Sequence, residues 1–227
     1  MGYLLLAGGA EFGGRMSEPD LHAIELAGGF DAPICIIPTA AAPDNNHKRV
    51  GSNGVRWFQS LGAKNVFAVD VVDSDSANDP SLAVSIRASR LIYLPGGFPH
   101  YLGETLANSP CWGAMLDAYK GGAVIAGSSA GAMVLCEHYY DPYERKLLPG
   151  LNLVPNSCVL PHYNSFGKSW AAQLLRSLPN ITLIGIDECT GVVKENDGNW
   201  YVHGAGKVAL YRGRQIQVHA AGSYFSI

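Results

Sequence analysis

Residues 122–138 read GAVIAGSSAGAMVLCEH. An apolar run, Ala123 to Ala126, enters a small-residue turn and leaves as a helix-forming stretch from Ala130 onward. The centre of the turn is G-x-S-x-G, with Ser129 in the middle. A strand that turns this sharply into a helix sets the serine hydroxyl at the helix N-terminus, beside unpaired backbone N–H groups. Side chains two residues either side of that serine would collide, and Gly127 and Gly131 remove them. Ser128 is the poorer candidate, because Ala126 and Ala130 stand at its flanking positions. The plain alternative is a strand-to-helix turn capped by a serine, which needs one glycine at most.

Working outward, this strand is one of a set. Apolar runs occur at 3–8 (YLLLAG), 32–39 (APICIIPT), 65–72 (NVFAVDVV), 90–97 (RLIYLPGG) and 181–187 (ITLIGID). They are continuous rather than alternating, as strands buried on both faces are. Helices are expected between them at about 19–28, 46–62, 80–89, 99–119 and 130–137. Alternating strands and helices predict an α/β fold, a mostly parallel sheet flanked by helices. Its ligand site belongs at the carboxyl ends of the strands. After about residue 190, TGVVKEN, NWYVHGAG, KVALYRG and RQIQVHA are short runs separated by turn residues. They predict C-terminal antiparallel hairpins. A 35-residue segment is too small for its own core, so residues 1–227 are read as a single domain.

Composition narrows the function. Of the 227 residues, 48% are hydrophobic and 15% charged, which suits a large core and not disorder. The net charge of −3 leaves no basic surplus for nucleic acid. The five cysteines are dispersed with no C-x-x-C pair, against both a disulfide framework and a zinc cluster. Buried free thiols and a reducing compartment follow. MGYLLLAGGAE lacks a basic n-region and is too short in its apolar run for a signal peptide. No run approaches 18 apolar residues, so no membrane span is expected, and the expected location is cytoplasmic.

A serine nucleophile needs oxyanion donors, a base and an orienting acid. The N–H of Ala130, next after the nucleophile, is one donor. Leu94-Pro95-Gly96-Gly97 ends the preceding strand, and the N–H of Gly97 is assigned as the second. Of the seven histidines, His162 in CVLPHYN follows a short apolar run and a proline, which puts it at a strand exit. It is the assigned base; His100 follows the paired glycines and is a second histidine near the site. Glu188 ends ITLIGIDE at another carboxyl end and is the favoured acid. Asp141 and Asp187 are its rivals, Asp141 because it would give the order Ser–Asp–His of α/β-hydrolases. The glycines of GGAEFGG (8–14) do not form G-x-G-x-x-G and read as a strand-exit loop. Glu137, His138 and Asp141 match no metal-ligand spacing.

PGG at one strand end, GSSAGAM at the next, then PHY and GIDECTG together resemble the peptidase E and cyanophycinase family of serine peptidases. The resemblance runs from LLLAGGAE through TGVVKEN. It implies a class I glutamine-amidotransferase-like fold and cleavage of peptides that contain aspartyl residues. It also implies Ser129 as nucleophile, His162 as base and Glu188 as orienting acid. The chain departs from the family pattern after the paired glycines, where Phe98, Pro99 and His100 replace the usual Asn or Asp followed by Thr or Gln. It departs again after His162, where Tyr163, Asn164, Lys168 and, further on, Arg176 stand in place of several arginines. Phe98, His100, Asn164 and Lys168 are therefore expected to shape an altered substrate pocket, with Lys168 the candidate for a substrate carboxylate. The resulting expectation is a serine peptidase acting on a small peptide or isopeptide through an acyl-enzyme. No metal or organic cofactor is required, and no partner is expected beyond a second copy of the chain in a homodimer. A carboxylesterase or thioesterase using the same elbow, and a non-catalytic ligand-binding protein, are the rival readings.

Overall fold

The computed structural model describes residues 1–227. Strands β1 (Tyr3–Ala7), β2 (Ile34–Ile36), β3 (Val66–Ala68), β4 (Leu91–Leu94) and β5 (Val124–Ser128) pair in parallel, in the order β1-β5-β4-β2-β3. Successive side chains of a strand point to opposite faces. Leu4 and Leu6 accordingly enter one core cluster and Leu5 another. Both faces are apolar and covered, which is why these segments read as continuous apolar runs.

The helices are α1 (Ser17–Leu26), α2 (His47–Ser60), α3 (Ser74–Ala77), α4 (Pro80–Arg87), α5 (Pro99–Leu106), α6 (Pro110–Lys120), α7 (Ala130–Val134) and α8 (Ala171–Ser177). Ile24 of α1 and Phe58 of α2 pack with Leu5, Ile36 and Tyr93 on one face. Ile86 of α4, Leu102 of α5, Met115 of α6 and Met133 of α7 pack on the other. The helix expected over 99–119 is two helices. Asn108 adopts φ 59°, Pro110 disfavours helical backbone at the residue before it, and Ser109 caps α6 by accepting from the N–H of Trp112 at 3.1 Å. The helix expected over 130–137 ends at Val134, because Cys136 turns to bridge with Val154.

Beyond α7 lie a hairpin of β6 (His138–Asp141) and β7 (Lys146–Pro149), then β8 (Ser157–Leu160) and β9 (Thr182–Ile186). The C-terminal strands are β10 (Thr190–Lys194), β11 (Trp200–Gly204), β12 (Lys207–Arg212), β13 (Gln215–Ala220) and β14 (Tyr224–Phe225). They divide between two sheets. β10, β11 and β14 extend the main sheet antiparallel from β1, while β12 and β13 join β9 and β8 in a second sheet of order β13-β12-β9-β8. The run 181–187 is thus not a strand of the main sheet. Only Asp187, Glu188 and Cys189 separate β9 from β10, too short a link for a parallel crossover, and the chain changes sheet there. Val159, Ile184 and Val208 of the second sheet belong to the same core cluster as Leu4 and Ile92 of the first. This junction brings the carboxyl ends of β1, β4, β5, β8 and β9 to one place. No helix is long and apolar enough to cross a membrane.

Candidate active site

Ser129 sits between β5 and α7 with φ 49° and ψ −111°, a conformation that costs a non-glycine residue roughly 1–3 kcal/mol. The surroundings enforce it. The N–H of Ser129 donates to the carbonyl of Ala7 at 3.0 Å, and its carbonyl accepts from Met133 at 3.0 Å. A Cβ on Gly127 would lie 2.5 Å from the Gly131 backbone, and one on Gly131 would lie 2.0 Å from the Leu94 carbonyl oxygen. The elbow therefore closes only with glycine at both positions. Ser128 is fully buried and points away from the nucleophile's cavity.

Pro161 carries the chain off β8 to His162, which has φ 47°. The N–H of His162 donates to the carbonyl of Gly8 at 2.7 Å, and its own carbonyl accepts from Ser165, Phe166 and Gly167. The backbone under the imidazole is thus fixed on both sides. Nε2 lies 2.9 Å from Ser129 Oγ, and Nδ1 lies 2.8 Å from Glu188 Oε1. A carboxylate at Nδ1 selects the tautomer with the proton there, leaving Nε2 to accept from the serine hydroxyl. Phe166 stacks on the imidazole with centroids 4.9 Å apart. Gly9, at φ 136°, passes so close that a Cβ would lie 2.3 Å from the ring. Of the rival acids, Asp187 accepts from the N–H of Lys207 at 3.0 Å, and Asp141 is buried, accepting from the N–H of Tyr143 at 2.8 Å.

A cavity of about 240 Å³ opens beside Ser129 and His162, and both Gly97 and Ala130 line it. Ala130 begins α7, where N–H groups have no helical partner. A hydroxyl in contact with a base, beside the first residue of a helix, is an arrangement that can attack a carbonyl.

The four residues expected to shape the substrate pocket do not line this cavity. Phe98 stacks on Tyr143, with centroids 4.6 Å apart, and so backs one wall. His100 turns to the Tyr139 hydroxyl at 3.3 Å and towards Glu104. Asn164 accepts from the N–H of Glu188 at 3.0 Å, so it positions the acid. Lys168 lies in a 3-10 turn, Gly167–Trp170, and faces a separate cavity with Tyr163, Asp187 and Lys207.

One residue of the site was not foreseen. Glu11 Oε1 accepts from the N–H of Gly96 at 2.9 Å, and Oε2 accepts from the Ser128 hydroxyl at 2.9 Å. It ties the strand-exit loop after β1 to the turn that carries Gly96 and Gly97 and to the turn that carries Ser128 and Ser129. The available signal was an acidic residue in a glycine-rich exit loop at the carboxyl end of a strand. Behind it, Asp20 is fully buried, and its Oδ2 accepts from the indole N–H of Trp57 at 2.7 Å. Burial pushes the Asp20 carboxyl up to about 7. Burial likewise pushes the Cys35 and Cys136 thiols up to about 12. All five cysteines are free.

Residues 4–200 match the model of peptidase family S51. A cyanophycinase of Trichormus variabilis is 30% identical over 91% of this chain and 72% of its own length. A cyanophycinase of Geminocystis herdmanii is 30% identical over 94% of this chain and 81% of its own. The crystal structure of a peptidase from an acI-B1 Actinobacterium superposes with a TM-score of 0.90 at 33% identity, covering 100% of this chain and 97% of that one. With a family match across most of the length and a near-complete structural counterpart, the chain belongs to peptidase family S51 and is a serine peptidase.

Proposed function

We propose that Ser129, His162 and Glu188 are the catalytic triad and that they hydrolyse a peptide or isopeptide bond through an acyl-enzyme. The observation that carries this reading is the continuous contact from Ser129 Oγ to Nε2 and from Nδ1 to Glu188, at 2.9 and 2.8 Å. Ser129 Oγ attacks the scissile carbonyl carbon as its proton passes to Nε2. Glu188 stabilises the imidazolium, and the N–H groups of Gly97 and Ala130 hold the oxyanion. The imidazolium then gives its proton to the leaving amine, the C–N bond breaks, and the acyl group stays on Ser129. Water, deprotonated by the same nitrogen, attacks the ester carbonyl; the C–Oγ bond breaks, the imidazolium returns its proton to Oγ, and the acid leaves. Each proton transfer in this cycle passes through Nε2 of His162, and the scheme calls on no cofactor. The substrate partner is a small peptide.

The test is hydrolysis of a library of dipeptides and β-linked aspartyl peptides by wild type and Ser129→Ala. Turnover by wild type, with kcat at least about 10³-fold lower in the variant, is expected. Cleavage of esters or thioesters alone moves the protein to the esterase reading. Half the wild-type rate in Ser129→Ala removes the serine mechanism.

A further inference from the structure

The cavity beside the nucleophile has walls of one character. Apart from the catalytic groups, its lining side chains are those of Pro99, Met133, Pro142, Tyr143, Phe166 and Trp170, with Pro161 at its edge. None is charged. The cations on the segments that build these walls lie elsewhere: Arg145 is exposed at the β6–β7 hairpin tip, Lys146 beside it pairs with Glu144 at 2.8 Å, and Lys168 and Arg176 border two other cavities. A substrate carboxylate placed there would lose water without gaining a cation. The aromatic walls are held in place by one another. Phe166 packs on His162 and, at 5.5 Å, on Trp170, which packs at 5.2 Å on Tyr140. Yet Tyr143 and Phe166 remain 63% and 47% exposed, apolar surface left open at the mouth. At about 240 Å³ the cavity is below the ~300–1,000 Å³ of sites that take a whole small ligand, and so suits one side chain.

Resting on the serine-peptidase reading of Ser129, the geometry points to a neutral apolar or aromatic side chain, in place of an aspartyl one, beside the bond that is cut. Tyr143, Phe166 and Trp170 are its specificity determinants.

The experiment uses two peptide series in which the residue before, or the residue after, the cleaved bond is Phe, Leu, Asn or Asp. A single methylene in an apolar pocket is worth roughly 10–200-fold. Wild type is therefore expected to favour Phe or Leu over Asp by about 10²-fold or more in kcat/KM in one series. Trp170→Ala should shrink that ratio by about 10-fold or more. Tyr143→Arg, at an exposed position, should shrink it by raising kcat/KM for Asp. The ratio within each variant is the readout, so a general loss of activity does not mimic the result. Asp equal to or better than Phe in both series, or a ratio unmoved by both substitutions, overturns the inference. If Asp is cut and the cut depends on Ser129, only the pocket assignment fails. If nothing is cut while Ser129 still reacts with a fluorophosphonate, the pocket assignment also fails. If nothing is cut and Ser129 does not react, the serine-peptidase reading falls with it.

Discussion

The Glu11 carboxylate accepts a hydrogen bond from the hydroxyl of Ser128, the residue before the nucleophile, at 2.9 Å. Its other oxygen accepts from the N–H of Gly96, the residue before Gly97, at 2.9 Å. One side chain thus spaces the two turns whose next residues, Gly97 and Ser129, line the cavity. Glu11 is a positioning residue in this account. Glu11→Ala should lower kcat by about 10-fold or more with a smaller change in KM, since the donors act mainly on the transition state. Glu11→Gln keeps an acceptor and should recover part of the rate. Ser128→Ala should cost only a few-fold. Equal changes in kcat and stability for Glu11→Ala, with no rescue by Gln, would make Glu11 merely structural.

Glu188→Gln should leave the fold intact and lower kcat by up to about 10⁴-fold, the order seen when the acid of such a triad becomes an amide. Asp141→Asn preserves the acceptor for Tyr143 and should be nearly silent in activity. The two kcat values, measured on one substrate, check this. A severe loss at Asp141 with none at Glu188 would exchange their roles.

Asp20 gives a pH signature. Its folded-state pKa near 7 lies above the ordinary 3.8, so between about pH 4 and 7 the folded chain keeps a proton that the unfolded chain has lost. Stability from this group therefore falls as pH rises through that window. Asp20→Asn cannot titrate. The stability difference, variant minus wild type, should become more positive from pH 4 to 7.5, by at most ~1.4 kcal/mol per pH unit. Urea midpoints at several pH values measure it, and a pH-independent difference contradicts the assignment.

Gly131→Ala places a Cβ 2.0 Å from the Leu94 carbonyl oxygen, a backbone atom that moves only with β4. Overpacking of this kind typically costs ~1–3 kcal/mol, and more where backbone must shift. A loss of about 3 kcal/mol or more in chemical denaturation is expected. A loss below about 0.5 kcal/mol would mean the elbow can open.

Features set by local sterics are legible in the sequence. Gly127 and Gly131 mark the elbow because the turn excludes side chains there, and Pro161 before His162 and Ile186 before Glu188 mark strand exits. The order of residues also suffices to place β1 to β5 in a parallel sheet. What it hid depends on long-range placement. Glu11 meets Ser128 across 117 residues, and no local pattern announces that contact. The change of sheet between β9 and β10 follows from which edge of β1 is open, a property of the assembled sheet. Lys168 lies in a 3-10 turn and lines a different cavity from Ser129, a placement set by the packing of β9 and β12 rather than by local sequence.

Everything proposed above depends on Ser129 acting as the nucleophile. Treatment of the folded protein with a fluorophosphonate, followed by intact-mass measurement and peptide mapping, tests it most directly. One adduct per chain is expected, located on Ser129, slowed in Glu188→Gln and absent in Ser129→Ala. An adduct on Ser128, or a wild-type protein that stays unmodified while folded, would contradict it.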